Sequence, residues 1–354
     1  MTAVPILPAL RRSPRPASGD ESLVARLARM AAAGGVPLSR LLADIAGLAL
    51  AAGHVGLADY ERLRLYDAAL WDGADRREIA GAWQGRRIAR IANFRRDCLA
   101  LANDRLAASA YFAAHGLPAI PTLAVFHAGL AAPGANLLRT RDELRQFLAA
   151  HIHQPLVVRP AEGEGVRTLF ADYGLDPHVE IDRLVEWAAD APGVSWLIQP
   201  RIAPPSGDRL TPVRLLTLAG ERGAKVLRAA WRLGGRDDLV ASLDLRTGAA
   251  LTLAPAAAPQ RAQAAPPDLA VPDWAALKAT AVEGARLLGQ FGLLGWDIAA
   301  GAAGPVILGV DPAPDLDLHQ LADRRGLLEP EFRAFLAERR RAGAEWRKTV
   351  TPRG

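Results

Sequence analysis

Two acidic residues in apolar surroundings, Asp297 and Asp311, have the types and spacing that most directly suggest chemistry in this 354-residue chain. They lie near the middle of GLLGWDIAA and at the end of PVILGVDP, two stretches joined by GAAG. Branched and aromatic residues favour a pleated, buried surface and the glycines permit a turn, so the pattern predicts a β-hairpin. A buried carboxylate needs a cation, an arginine or a proton. Two readings follow: the pair holds a metal ion, or one aspartate caps the following turn while the other pairs with an arginine.

The stretch PLVVRPAEGEGVRTLF supplies a second set of candidates. It puts Arg159 at the end of a buried strand, just before a turn over residues 161–165. Glycines there, Gly163 and Gly165, let backbone N–H groups approach phosphate oxygens, and an arginine beside them offers matched donors. The competing reading is a plain hairpin with a surface arginine, because GEG lacks the GxxxxGK[ST] phosphate-loop pattern. Glu162 and Glu164 in that turn are expected to face solvent. A second hairpin, TPVRLLTLAGERGAKVLRAAWRLGG, carries Arg214 on its first arm and Lys225 and Arg228 on its second. His151 and His153 would share one face of an extended segment, but no third ligand accompanies them. No GxSxG, HExxH or paired CxxC occurs, which removes the usual support for hydrolase and zinc-site readings.

These residues need a sizeable scaffold, and an apolar fraction of 50% over 354 residues can fill the cores of two or three domains. The one cysteine, Cys98, excludes an internal disulfide framework and fits a reducing compartment. Residues 1–20 are interrupted by prolines and read as a disordered tail without a secretory pattern. The longest apolar segment, LLADIAGLALAAGHVGLA, contains Asp44 and His54 and falls short of a membrane span. A cytoplasmic protein with no membrane span is expected. The net charge is +5, yet 38 acidic residues are interspersed among 43 basic ones, so nucleic acid is not expected as a partner. All but three of the basic residues are arginine, the lysines being Lys225, Lys278 and Lys348.

Helical spacing at Leu23, Leu27 and Met30, a break at Gly34, Gly35 and Pro37, and renewed spacing from Leu41 to Leu48 predict a helical region from residue 21 to about 93. NDRLAASAYFAAHG reads as a helix stopped by Gly116, and TRDELRQFLAAH as one opened by a Thr140/Glu143 capping box. Strands follow at QPLVVRP and SWLIQP, with a helix around residues 181–189 between them. Another turn falls at residues 246–248, an exposed loop at 254–267 and a helix at 273–290.

Taken in order, NDRLAASAYFAAHGLPAIPT, PLVVRPAEGEG, WLIQPRI, TPVRLLTL, GWDIA and GPVILGVDPAPDLDLHQ resemble the ATP-grasp superfamily. The likeness is to the sugar-transfer associated ATP-grasp proteins related to alpha-L-glutamate ligases, over residues 59–335. It implies an α+β fold in which two subdomains clasp ATP, a nucleotide-binding lid at 96–198 and a metal-binding subdomain at 199–345, following the tail at 1–20 and the helical region at 21–95 read from the residues. It implies ATP and Mg²⁺ as cofactors. Arg105 and Arg159 stand where the family has phosphate-binding lysines, and Gly163 and Gly165 belong to its phosphate-covering turn. Gln199, Arg201 and Ile202 match the adenine hinge, Arg214 an arginine that steadies the transferred phosphoryl or acyl phosphate, and Asp297 the first metal ligand. The second departs from the family: Gly309 occupies the glutamate position of a pattern like LLEGN, and Asp311 that of its asparagine. A stretch of the DNxxxGG type is not recognisable over residues 236–243. The implied activity joins a small-molecule carboxylate to an amine, in a polysaccharide or sugar-transfer pathway. The alternative that Gly309 leaves open is a degenerate relative that binds nucleotide or a partner protein without catalysis.

Overall fold

Helices come first, as the spacing requires. In the computed structural model, which describes residues 21–126, 134–162, 167–169, 176–191, 193–204, 210–233, 239–255 and 263–350, they are α1 (Leu23–Gly34), α2 (Leu38–Leu50), α3 (Leu57–Arg62), α4 (Ala82–Ala92), α5 (Leu99–Asn103) and α6 (Arg105–Ala114). The Ser22 side chain caps α1, and Gly35, at φ 62°, ends it in the left-handed region that favours glycine. Met30, Leu41, Tyr60, Leu63 and Trp71 close a core of their own. No single described helix is long and apolar enough to cross a membrane, although α1 and α2 pass that test as a pair bent by 99°. The expected tail at residues 1–20 lies outside the described residues, as do the turn residues 163–166 and much of the 254–267 loop.

Two sheets follow. The first has five strands, ordered β2-β1-β5-β3-β4, from β1 (Ala124–Phe126), β2 (Asn136–Leu138), β3 (Leu156–Pro160), β4 (Arg167–Leu169) and β5 (Trp196–Pro200). Helices α7 (Arg141–Ala149) and α8 (Pro177–Ala189) cover one face through Leu144, Leu148, Ile181 and Leu184, packed on Leu156, Val158 and Ile198. The capping box on α7 is formed: Thr140 Oγ1 accepts from Glu143 N at 3.1 Å and Glu143 Oε2 from Thr140 N at 3.2 Å. Alternate residues of β3 and β5, Arg159, Leu197 and Gln199, occupy the other face.

The second sheet has seven strands, ordered β10-β9-β8-β7-β6-β11-β12. They are β6 (Val213–Gly220), β7 (Gly223–Arg232), β8 (Leu239–Leu243), β9 (Ala250–Pro255), β10 (Gln263–Ala264), β11 (Leu293–Gly301) and β12 (Gly304–Asp311). Trp296, Ile298, Leu294, Leu215 and Ala229 pack beneath α9 (Trp274–Leu287) together with Ala102, Ala108 and Phe112 of α5 and α6. These two helices therefore join the core of the seven-stranded sheet, although in sequence they precede the five-stranded one. The opposite face carries Leu216, Leu218 and Leu293 against α4, α10 (Leu316–Asp323) and α11 (Pro330–Val350). The α+β architecture expected from the sequence, two sheet-bearing units preceded by a helical region, is the one observed.

The helical region is tied to the second sheet by side chains that stand in for backbone. Asn93, 3% exposed, donates to Leu293 O at 2.7 Å and Pro312 O at 2.6 Å and accepts from Gly292 N and Leu293 N at 2.8 and 3.0 Å. Gln320 accepts from Ala80 N at 2.8 Å and donates to Ala80 O at 3.0 Å, as a strand neighbour would. Such buried, fully paired amides fix orientation as apolar contacts cannot.

Candidate functional site

The hairpin β11–β12 does form, and its turn closes with Gly304 at φ 114°. Its register contains a bulge. Counting from the turn, Ile298 faces Ile307, and an unbroken ladder would then set Leu308 opposite Asp297. Instead Asp297 faces Gly309 and Gly295 faces Asp311. A one-residue slip exchanges the faces of a strand. The bulge thus puts Gly309 and Asp311 on the Asp297 face and leaves Val310 against the core with Ile307.

On that face Asp297 meets Arg214, its cross-strand neighbour on β6. Arg214 Nε donates to Asp297 Oδ1 at 2.8 Å and Nη2 to Oδ2 at 2.7 Å, a two-pronged pair with side chains only 16% and 15% exposed. Burial opposes the charge on Arg214, but Asp297, Asp311 and Asp315 outweigh it and hold the guanidinium more firmly protonated than usual. Asp311 Oδ1 accepts from Ala313 N at 2.7 Å, capping the turn that follows β12. Of the two readings of the acidic pair, the arginine partner and the turn cap describe these contacts. Among the described residues no three His, Cys, Asp or Glu side chains gather as a metal site. The donor set fits a magnesium ion poorly, since both Asp297 oxygens already bind a cation and Gly309 contributes no side-chain carboxylate.

The five-stranded sheet contributes Arg159. Its Nη1 crosses to Leu308 O at 2.7 Å, the carbonyl of the bulged residue, and its Nε donates to Gln199 Oε1 at 2.8 Å. Gln199, fully buried, passes the chain on to Thr122 Oγ1 at 3.1 Å. The third nitrogen of Arg159, Nη2, is buried without a hydrogen-bond partner among the described residues. Burial first, then the neighbouring Arg105, pull the Arg159 guanidinium down to about 10, with Asp297 acting in the opposite sense. Arg105, at the head of α6 behind the Asp104 cap, donates to Pro160 O at 3.0 Å. A small cavity runs beneath it, lined by Ala102, Ser109, Phe112 and residues 307–310.

The structure therefore brings Arg105, Arg159, Arg214, Asp297 and Asp311 to one place where the two sheets meet. Gln199 is part of it as the support of Arg159 rather than as an exposed hinge. Arg201 and Ile202 continue from β5 towards the β11–β12 turn, where the Ile202 side chain adjoins Gly301 and Ala302 N bonds to Ala203 O at 3.0 Å. Gly163 and Gly165 lie outside the described residues. Glu162 is exposed, and His151 is engaged locally with Phe147 O at 2.7 Å.

Sequence reasoning assigned no role to the groups just behind this cluster. Asp315 caps α10 by accepting from Asp317 N at 3.0 Å and bears on Arg214. Asp317 pairs with Arg62 at 2.5 Å, which also holds Asp59 at 2.5 Å, so the helical region reaches within two residues of the cap. His319, 1% exposed, has neither ring nitrogen bonded among the described residues. The DLDLHQ run was visible as polar residues in an apolar stretch, but nothing local in it names Arg62 or Ala80 as partners.

No protein-family profile matches the sequence, and no curated protein matches it. Among solved structures the chain is similar to the D-alanine–D-alanine ligase from Coxiella burnetii, with 10% identity, a TM-score of 0.45, and coverage of 71% of this chain and 61% of that one. It is similar to an ATP-grasp ligase, PsnB, in complex with a variant of its minimal precursor, Mg and ADP, with 18% identity, a TM-score of 0.41, and coverage of 69% and 60%. A third is biotin carboxylase from Campylobacter jejuni, with 12% identity, a TM-score of 0.43, and coverage of 69% and 47%. The chain thus spans about 61%, 60% and 47% of the length of these proteins.

Proposed function

We propose that the chain is an ATP-grasp protein that binds ATP between its two sheets, with the polyphosphate against Arg159 and Arg105. The observation that carries this reading is Arg159 Nη2. A buried guanidinium nitrogen without a partner is unfavourable by about 1–3 kcal/mol, and an anionic oxygen satisfies it with a charge-assisted bond. An arriving phosphate also relieves the repulsion between Arg159 and Arg105.

In the activity this supports, a small-molecule carboxylate oxygen attacks the γ-phosphorus, ADP leaves, and an amine then attacks the acyl carbon and expels phosphate. Arg105 and Arg159 hold and neutralise the phosphates, and Arg214 steadies the transferred phosphoryl group. Arg201 and Ile202 would receive the base, with Gln199 acting as the buried support of Arg159, and a polysaccharide or sugar-transfer pathway is the setting the sequence resemblance suggests. The resemblance would make Asp297 and Asp311 metal ligands, but Arg214 holds both Asp297 oxygens and no step here runs through a metal.

A second reading, nucleotide binding without ligation, is favoured by Gly309 and by the closed Arg214–Asp297 pair. Thermal unfolding with and without ATP, followed by assay of ADP and phosphate release across a panel of carboxylates and amines, tests both. ATP should raise the midpoint by mass action. Turnover with some carboxylate and amine selects the ligase, its absence selects the binder, and no shift with ATP removes both.

A further inference from the structure

We infer that the Arg214 guanidinium holds, at Asp297, the place a divalent cation would need, so that the site takes up the polyphosphate of a nucleotide without magnesium. This rests on the nucleotide reading above. A magnesium ion demands near-octahedral oxygen ligands and binds through one or two carboxylates besides phosphates and water. Asp297 has given both oxygens to Arg214, at 2.8 and 2.7 Å. Its cross-strand neighbour across β12 is Gly309, where a Cβ would meet nothing within 4 Å: the position opposite is open space rather than a ligand. Asp311 and Asp315 each hold a backbone N–H, of Ala313 and Asp317.

Electrostatics point the same way. Asp297, Asp311 and Asp315 together keep Arg214 charged against its burial, so the carboxylates that would recruit a metal are already neutralising a fixed cation. Arg159 and Arg105 stand beside them, and Asp297 is felt by Arg159 too. A doubly charged ion arriving here would meet three guanidinium groups. The guanidinium supplies what the ion would offer a phosphate, positive charge with directed donors, and its Nη1 lies outside the pairing with Asp297.

Calorimetric titration of ATP into the full chain, once in EDTA and once in excess MgCl₂, tests this. The expected dissociation constants agree within about threefold, or binding is somewhat weaker with magnesium, because Mg²⁺ lowers the charge that ATP presents to the arginines. Binding at least tenfold tighter in MgCl₂ would overturn the inference and leave the nucleotide reading standing. No heat in either buffer would overturn both. Arg214→Gln provides the second arm: it should weaken binding in EDTA at least tenfold and make the remaining affinity rise with MgCl₂, since Asp297 is released. If Arg214→Gln does not fold, Arg214→Lys replaces it, keeping a charge without the two-pronged geometry. Affinity of either variant in EDTA equal to the wild type would overturn the inference.

Discussion

Arg159 Nη1 donates to Leu308 O at 2.7 Å, joining the five-stranded sheet to the bulge of the seven-stranded one. The two residues are 149 positions apart, and the contact exists because the bulge takes Leu308 out of the β-ladder. Replacing Arg159 by Met keeps an unbranched stem but removes every donor. ATP binding should weaken by about 1–3 kcal/mol. A calorimetric dissociation constant equal to the wild type would take Arg159 out of the site.

Asn93 makes four backbone hydrogen bonds between the helical region and the second sheet. Asn93→Ala takes the amide partner from Leu293 N, Leu293 O and Pro312 O, while Gly292 N keeps Ala92 O at 3.2 Å, and should lower stability by about 2–4 kcal/mol, read from the urea midpoint. A change under about 0.5 kcal/mol would show that the region is held by its apolar contacts alone.

Two buried groups on α10 give opposite pH dependences. The Asp317 carboxyl, ordinarily near 3.8, is pushed up to about 7 by burial first and by Asp315, with Arg62 opposing. Its folded pKa exceeds its unfolded one, so its contribution is full below 3.8 and is lost as pH rises through about 7. The His319 imidazole is pulled down from 6.5 to about 3 by burial, Arg214 and Arg228, so the folded state loses stability as pH falls through that window. Asp317→Asn should flatten the decline from pH 4 to 7, and His319→Gln the decline from 6.5 down towards 3. Urea unfolding of the full chain across this range checks both. Profiles parallel to the wild type would contradict the assigned environments.

Gly309 has open space where a side chain would stand, and its backbone is not in the left-handed region. Gly309→Glu should therefore fold with a stability change within about 1 kcal/mol. The new carboxylate competes with Asp297 for Arg214, and the variant should gain a melting-temperature increase with MgCl₂ that the wild type lacks. Equal responses of the two proteins would disprove the competition.

Much of this arrangement was legible from residue patterns. The apolar runs of β3, β5, β11 and β12, the Thr140 box and the Gly35 stop are local devices, readable within a few positions. Arg159, Arg214 and Asp297 stood out because charge in an apolar strand needs a partner. What the partner would be was not legible. The bulge at Leu308 decides which β12 residues face Asp297; the glycine in ILGVD, Gly309, is compatible with a bulge but does not fix which residue leaves the ladder. The backbone mimicry of Asn93 and Gln320, and the Arg62–Asp317 pair, arise from contacts 199 or more residues apart. Packing of α5 and α6 under the later sheet has the same cause, since helical spacing reports an apolar face but not the surface it will cover.

ATP is proposed to sit between the two sheets. Hydrogen exchange followed by mass spectrometry, with and without saturating ATP, tests it directly. Exchange should slow in peptides spanning residues 156–162 and 304–311, which carry Arg159 and the bulge, and stay unchanged in α1 and α2. Unaltered exchange in both peptides, or protection confined to residues 21–95, would contradict the account.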